Sequence, residues 1–187
     1  MIKAAAYILI GGQSLRFGSP KWKVKIGDET VLNRTLKSCK EFESRQVVGK
    51  EKPSQLPVPF IKDKWKIQAP IIGLQTALQK SKHDWNLILS CDLPLITARI
   101  IDQLWKNNNK DTDVIIPVVN DMFQTTSAFY HRKLLSLCTS VIQKNRLSLN
   151  DLVHSVNYIE VDFSDQADAF LNMNTQEDLV SVKEKLK

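Results

Sequence analysis

At 187 residues, with 43% apolar and 25% charged content, the chain can bury a sizeable core and reads as one globular domain spanning residues 1–187. Its formal net charge of +6 favours anionic partners, whether nucleic acid, a membrane surface or a phosphorylated small molecule. No apolar stretch approaches transmembrane length, and Cys39, Cys91 and Cys138, odd in number and without C-x-x-C spacing, argue against a zinc site or a disulfide framework. Lys3 followed by the apolar run 4–10 faintly mimics a signal peptide. However, that run is short, and the loop behind it, rich in Gly, Arg and Lys, offers no convincing cleavage site. The expectation is a cytoplasmic protein with reduced thiols and no membrane association.

The run Ala4-Ala5-Ala6-Tyr7-Ile8-Leu9-Ile10 shows no alternation, the pattern of a strand buried on both faces. It breaks into Gly11-Gly12, and the loop that follows carries Ser14, Arg16 and Lys21. Without a Cβ at the paired glycines, backbone N–H groups can converge on an anion. Arg16 adds a planar fork of donors and Lys21 a flexible point charge, both suited to phosphate oxygens. The loop is not a P-loop, because Trp22 follows the lysine, and it lacks the G-x-G-x-x-G spacing of a Rossmann fingerprint. The plainer alternative is a glycine turn with solvated basic residues.

Downstream, Gly27-Asp28 signals a turn, and helical spacing of Val31, Leu32, Thr35, Leu36 and Cys39 predicts a helix over 30–42. Short strands are expected at 46–48 and 58–61, the second closed by Asp63. Pro70 opens a helix reaching residue 80, and the buried strand 85–90 delivers Cys91-Asp92-Leu93-Pro94. Thr97 caps a helix holding Ile100, Ile101, Leu104 and Trp105; strands follow at 114–119 and 125–130. Helices over 132–143 and 147–156, a strand at 158–161 and a closing helix over 175–187 complete the chain. Strands alternating with helices predict an α/β sheet covered on both faces.

In open α/β sheets ligands bind outside the carboxyl ends of the strands, where the glycine loop, Asp63 and Asp92 all fall. A carboxylate beside a phosphate cradle suits Mg2+, a hard ion that prefers oxygen, and Asp92 is the candidate ligand. Against this, Asp92 could serve only as a turn or capping residue before Pro94, and Asp63 as a solvated carboxylate. His83, His131 and His154 show no metal spacing.

Taken together, several motifs resemble the molybdenum cofactor guanylyltransferase family (MobA type). They are Leu9-x-Gly11-Gly12-x-Ser14-x-Arg16-Phe17-Gly18 with Lys21, Pro70-Ile71-Ile72-Gly73, Cys91-Asp92-Leu93-Pro94 and Phe170-Leu171-Asn172-Met173-Asn174-Thr175, in family order over nearly the whole chain. The resemblance implies a three-layer αβα sandwich on a Rossmann-like, mostly parallel mixed sheet of the nucleotide-diphospho-sugar transferase type. It also implies transfer of GMP from Mg-GTP to the terminal phosphate of molybdopterin, with release of pyrophosphate. By the same analogy, Leu9, Gly11, Gly12, Ser14, Lys21, Asp63 and Asp92 bind the nucleotide, and Asp92 holds the metal. Arg16, Lys21 and Asp92 would act in catalysis, while Asn172 and Asn174 lie toward the pterin. Asn174 could instead cap the final helix, paired with Glu177. Other cofactor-assembly proteins and acceptor molybdoenzymes are the implied partners.

Departures from the family pattern bear on base and substrate choice. Pro20 stands where Asp commonly precedes the lysine, and Ala69-Pro70-Ile71-Ile72-Gly73 replaces Gly-Pro-Leu-Ala-Gly, adding bulk at an expected pocket wall at Ala69 and Ile72. A cytidylyltransferase or sugar-phosphate nucleotidyltransferase shares the cradle, and a catalytically silent binding protein could retain the fold. A basic nucleic-acid-binding module would use Lys21-Trp22-Lys23 and Lys64-Trp65-Lys66, which interleave aromatics with charge. Trp22 and Trp65 could equally pack beneath solvated lysines.

Overall fold

The structure, a computed structural model, describes residues 1–11 and 20–186. In chain order the elements are β1 (Ile2–Leu9), β2 (Lys25–Ile26), β3 (Glu29–Thr30), α1 (Val31–Ser38), β4 (Phe42–Gly49), β5 (Phe60–Lys62), α2 (Pro70–Lys80), β6 (Trp85–Ser90) and α3 (Ala98–Trp105). Then come β7 (Val114–Val119), β8 (Met122–Phe123), β9 (Ser127–His131), α4 (Leu135–Gln143), α5 (Leu149–His154), β10 (Tyr158–Asp162) and α6 (Gln176–Glu184). The main sheet has the order β10-β7-β9-β6-β1-β4-β5, with β8 paired to β7. Every neighbour along that path is parallel except β9, which runs antiparallel to both β6 and β7. This is the mixed, mostly parallel α/β sheet expected from the alternation of strands and helices.

Strand β1 explains why the layers form. Ala4 to Ile8 are all fully buried, and alternate side chains leave opposite faces of the sheet. Ala5 and Tyr7 enter one core with residues of α2, α4 and α5. Ala4 and Ala6 enter a second with residues of α3 and the 3-10 turns of Ser164–Phe170. Ile8 packs under α1 beside Leu32, Leu36 and Val47. The small alanines let both helical layers approach the strand closely.

Several boundaries differ from the sequence reading. Helix α1 starts where predicted, with Thr30 accepting from the Asn33 N–H at 3.2 Å, but ends at Ser38 rather than residue 42. Phe42 is drawn into a strand because its ring stacks on Phe129 at 5.9 Å while the Ile2 N–H donates to the Glu41 carbonyl. Helix α5 is shorter than 147–156 because Ser148 caps it, accepting from the Asp151 N–H. Pro70 and Thr97 begin α2 and α3 as read. A hairpin that the sequence reading missed joins β7 to β8 through Asn120 and Asp121, whose φ angles of 49° and 62° suit the right-handed twist of the strands.

The closing helix corrects another expectation. Its N-cap is Thr175, and the reciprocal partner is Asp178, not the pair Asn174 and Glu177. One carboxylate oxygen of Asp178 accepts from both the Asn174 N–H (2.7 Å) and the Thr175 N–H (2.8 Å). These bonds hold the Asp178 carboxyl below its ordinary value. A lowered folded-state value means the cap contributes fully above the ordinary carboxylate range and is lost as pH falls through the folded one. Amide protection at Asn174 and Thr175 should therefore decline on acidification in the wild type. In Asp178→Ala it should be low at every pH, as hydrogen exchange read by NMR will show.

Candidate functional site

Parallel pairing brings the carboxyl ends of β1, β4, β5 and β6 to one edge, and a cavity of about 510 Å3 opens there. Its walls come from Leu9, from Val48-Gly49-Lys50, from Asp63, from Gln68-Ala69-Pro70 and Gly73 at the start of α2, and from Ser90, with Gly11 and Thr126 completing the lining. Main-chain bonds lock these ends together. The Ile10 N–H donates to the Val48 carbonyl, Cys91 to Leu9, Asp63 to Gly49, and Ser90 to the Thr126 carbonyl at 2.7 Å.

Glycine matters at two of these positions. A Cβ on Gly49 would lie 2.7 Å from the Ile10 side chain, and one on Gly73 would lie 2.9 Å from the Leu9 methyls. Ile72, expected at the wall, is fully buried among the core residues beneath the sheet. Its neighbour Gly73 lines the cavity in its place, so the family departure at Ile72 falls on packing rather than on the opening. Ala69 does line the cavity.

Asp63 is buried at the end of β5 and engaged through both oxygens. Oδ1 accepts from the Trp65 N–H at 2.9 Å, and Oδ2 pairs with the Lys50 ammonium at 2.7 Å. It is therefore not the solvated carboxylate that the sequence also allowed. Lys50 was not singled out from the sequence. Its one signal there is a cation directly after a strand in an α/β fold.

Across the same edge, residues remote in sequence meet. Lys21 Nζ stands 3.9 Å from Asp92 Oδ2 and donates to Asn174 Oδ1 at 2.5 Å. The Asp92 carbonyl accepts from the Met173 N–H at 2.8 Å, which ties the 171–174 segment to the end of β6. Asp92 Oδ1 is buried and has no hydrogen-bond partner among the described residues. A carboxylate oxygen in that condition is costly unless something fills the vacancy, and a hard divalent cation is suited to it. Asp92 lies in the turn after β6, and its side chain caps no helix among the described residues. No group of three or more His, Cys, Asp or Glu side chains able to hold a metal occurs among the described residues.

Gly12, Ser14 and Arg16 lie outside the described residues. Asn172 is exposed. Cys39, Cys91 and Cys138 are buried free thiols, each pushed up to about 12 by burial, and are protonated and unreactive at neutral pH. At Cys91 the adjacent Asp92 adds to the rise. Trp22 packs against the core under α1 and Trp65 against the main core, as packing residues would. Lys23 lies over the Trp22 ring at 5.0 Å. No helix among the described residues is long and apolar enough to cross a membrane.

Residues 6–156 match the family model described as the MobA-like NTP transferase domain. A probable molybdenum cofactor guanylyltransferase from Aquifex aeolicus (strain VF5) is 33% identical over 177 residues, covering 92% of this chain and 87% of that protein. One from Bacillus mycoides (strain KBAB4) is 28% identical over 197 residues, covering all of this chain and 98% of the relative. Among solved structures, molybdopterin-guanine dinucleotide biosynthesis protein A from Archaeoglobus fulgidus superposes with a TM-score of 0.84 at 20% identity, over 97% of this chain and 98% of that one, a likeness of fold. With the matched region running from inside β1 to beyond α5, the chain belongs to the MobA-like NTP transferase family of nucleotidyltransferases.

Proposed function

We propose that this protein is a cytoplasmic molybdenum cofactor guanylyltransferase, joining GMP from GTP to the terminal phosphate of molybdopterin and releasing pyrophosphate. The observation that carries the reading is the meeting of Lys21, Asp92 and Asn174 beside the cavity at the strand ends. Full-length relatives bearing that name support the choice of reaction. Other cofactor-assembly proteins and acceptor molybdoenzymes are the natural partners of such an enzyme.

The reaction sets two anions against each other. An oxygen of the molybdopterin phosphate forms a new bond to the α-phosphorus of GTP as the bond to the β-phosphate oxygen breaks, and pyrophosphate carries away the electron pair. No side-chain nucleophile is required, so catalysis rests on positioning and charge neutralisation. The Gly11-Gly12 pair would offer backbone amides to the phosphates. Lys21 and Arg16 hold the departing pyrophosphate as its charge grows. Asp92, through the oxygen that has no hydrogen-bond partner among the described residues, would hold Mg2+. Magnesium bound there would supply charge neutralisation on the triphosphate oxygens. Leu9 and Gly73 form the apolar wall for the guanosine, with Asp63 in the same cavity lining, and Asn172 and Asn174 would lie on the pterin side. The cavity of about 510 Å3 is of the size that small-molecule sites take.

Four outcomes test this reading. Asp92→Ala should remove magnesium-dependent transfer, by about 100-fold or more in kcat/KM, while thermal unfolding stays close to wild type. A folded variant with near-wild-type turnover would sink the metal assignment. Lys21→Ala should weaken GTP binding and slow transfer, whereas Lys23→Ala, whose ammonium sits over the Trp22 ring, should change little. Equal losses at the two lysines would indicate a diffuse basic surface of the kind that binds nucleic acid. GTP should be preferred over CTP, ATP and UTP in molybdopterin-dependent pyrophosphate release. Gly73→Ala should raise the GTP KM, because its new methyl would displace Leu9 into the cavity. A clear CTP preference in the wild type would overturn the guanylyltransferase assignment and leave the nucleotidyltransferase one.

A further inference from the structure

Lys50 lines the nucleotide cavity and looks at first like a second phosphate-binding cation. Its hydrogen bonds say otherwise. An ammonium has three N–H donors, and Lys50 Nζ has three acceptors. They are Asp63 Oδ2 at 2.7 Å, the Ile67 carbonyl at 3.2 Å, and the Trp65 carbonyl. With all its protons committed and its charge met by a buried carboxylate, the group has nothing left to offer an incoming phosphate.

What the ammonium does hold is the segment between β5 and α2. Two of the three acceptors are main-chain carbonyls of that segment, which has no strand or helix to satisfy them. Trp65 is fixed three ways. Its N–H donates to Asp63 Oδ1, its carbonyl accepts from Lys50, and its indole Nε1 donates to Gln75 Oε1 on α2 at 3.2 Å. The residues that follow directly, Gln68 and Ala69, line the cavity. Ala69 is held from the α2 side, its carbonyl accepting from the Ile72 N–H at 3.0 Å, but Gln68 is exposed and directly follows Ile67. The tripod therefore sets the path by which the chain enters the wall at Gln68.

We infer that Lys50 is the positioning residue for nucleobase selection: by joining Asp63 to the Trp65 and Ile67 carbonyls it fixes the 64–69 wall against which the base of the nucleotide is read. The inference rests on the nucleotidyltransferase reading above and deepens it. Asp63, itself in the cavity lining, is held in place by the same tripod, and the base meets this wall, Gln68 and Ala69 included. A positioning role differs from direct phosphate binding in what it predicts. Losing a phosphate contact penalises all nucleoside triphosphates alike. Loosening the base wall penalises the preferred base most.

The test uses the full-length protein and three variants, Lys50→Met, Lys50→Arg and, as a reference for a lost phosphate contact, Lys21→Ala. Lys50→Met keeps the length of the side chain and removes all three donors. Lys50→Arg keeps the charge but offers a planar fork that cannot converge on three acceptors. For Lys50→Met, GTP KM should rise about tenfold with kcat changed by less than about threefold, and the GTP-over-CTP ratio of kcat/KM should fall by about tenfold. Lys50→Arg should fold as the wild type does and show the same split to a smaller degree, which keeps the test decisive should the Met variant not fold. Independently of turnover, hydrogen exchange should quicken over residues 64–69 in both Lys50 variants and stay unchanged in Lys21→Ala. Unchanged discrimination, or a loss equal for GTP and CTP, overturns the inference, as does unchanged exchange in the 64–69 segment. If the wild type itself releases no pyrophosphate from any triphosphate, the functional reading fails, while exchange and GTP-binding selectivity still decide the role of Lys50.

Discussion

Parallel hydrogen bonding of β1 to β4 on one side and β6 on the other governs the placement of everything that follows. Strands paired in this sense must all end at the same edge. The chain then leaves β1 into Gly11, β4 into Gly49-Lys50, β5 into Asp63 and β6 into Cys91-Asp92 within one neighbourhood. No individual turn has to be steered there. The constraint is enforced by burial: Ala4 to Ile8 have no exposed surface, so a register slip of one residue would exchange the side chains of both layers at once. At about 25 cal/mol per Å2 of apolar surface, moving even a few of those side chains to the wrong face would cost several kcal/mol.

The antiparallel strand β9 completes the edge from the other direction. It enters the sheet beside β6 from Thr126, whose carbonyl accepts from the Ser90 N–H. A strand reversed at this point contributes its amino end, rather than its carboxyl end, to the cavity. The β7–β8 hairpin makes the reversal possible by turning the chain in two residues.

The central strand, the α/β alternation and the beginnings of α2 and α3 could be read directly, because each rests on a local signal: an unbroken apolar run, Pro70 at a first turn, Thr97 before a helical pattern. The β7–β8 hairpin was harder, since Asn-Asp marks such a turn less strongly than Asn-Gly and β8 is two residues long. Phe42 was misread for a different reason. Its helical spacing within 30–42 is genuine, but stacking on Phe129, far along the chain, outweighs it. At the site, Lys21 and Asp92 were legible because a motif announces each. Lys50 was not, because its function depends on two carbonyls and a carboxylate that only the fold assembles around it. Ile72 shows the converse. Its departure from the family pattern suggested a changed pocket, yet the helix turns it into the core and leaves Gly73 facing the opening.

The two lysines at this edge illustrate how a basic protein keeps some of its charge for a ligand and uses the rest to build. Lys50 is neutralised at 2.7 Å by a carboxylate whose side chain is 10% exposed, and its charge is spent on the fold. Lys21 stands 3.9 Å from Asp92, with side chains 20% and 23% exposed, a separation at which a hydrated pair contributes little. Its close partner is the neutral amide of Asn174. An amide oxygen orients an ammonium without cancelling its charge, so Lys21 retains its field for an anion. Asn174 is free to do this only because Thr175 and Asp178 cap α6 and relieve it of the capping task. The packing of Val182 against Ile26, Val31 and Met173 holds that helix beside the hairpin of β2 and β3, so the arrangement of the cation reaches back to an apolar cluster away from the sheet. A charge kept in readiness at the cavity edge is thus a consequence of how the last helix begins.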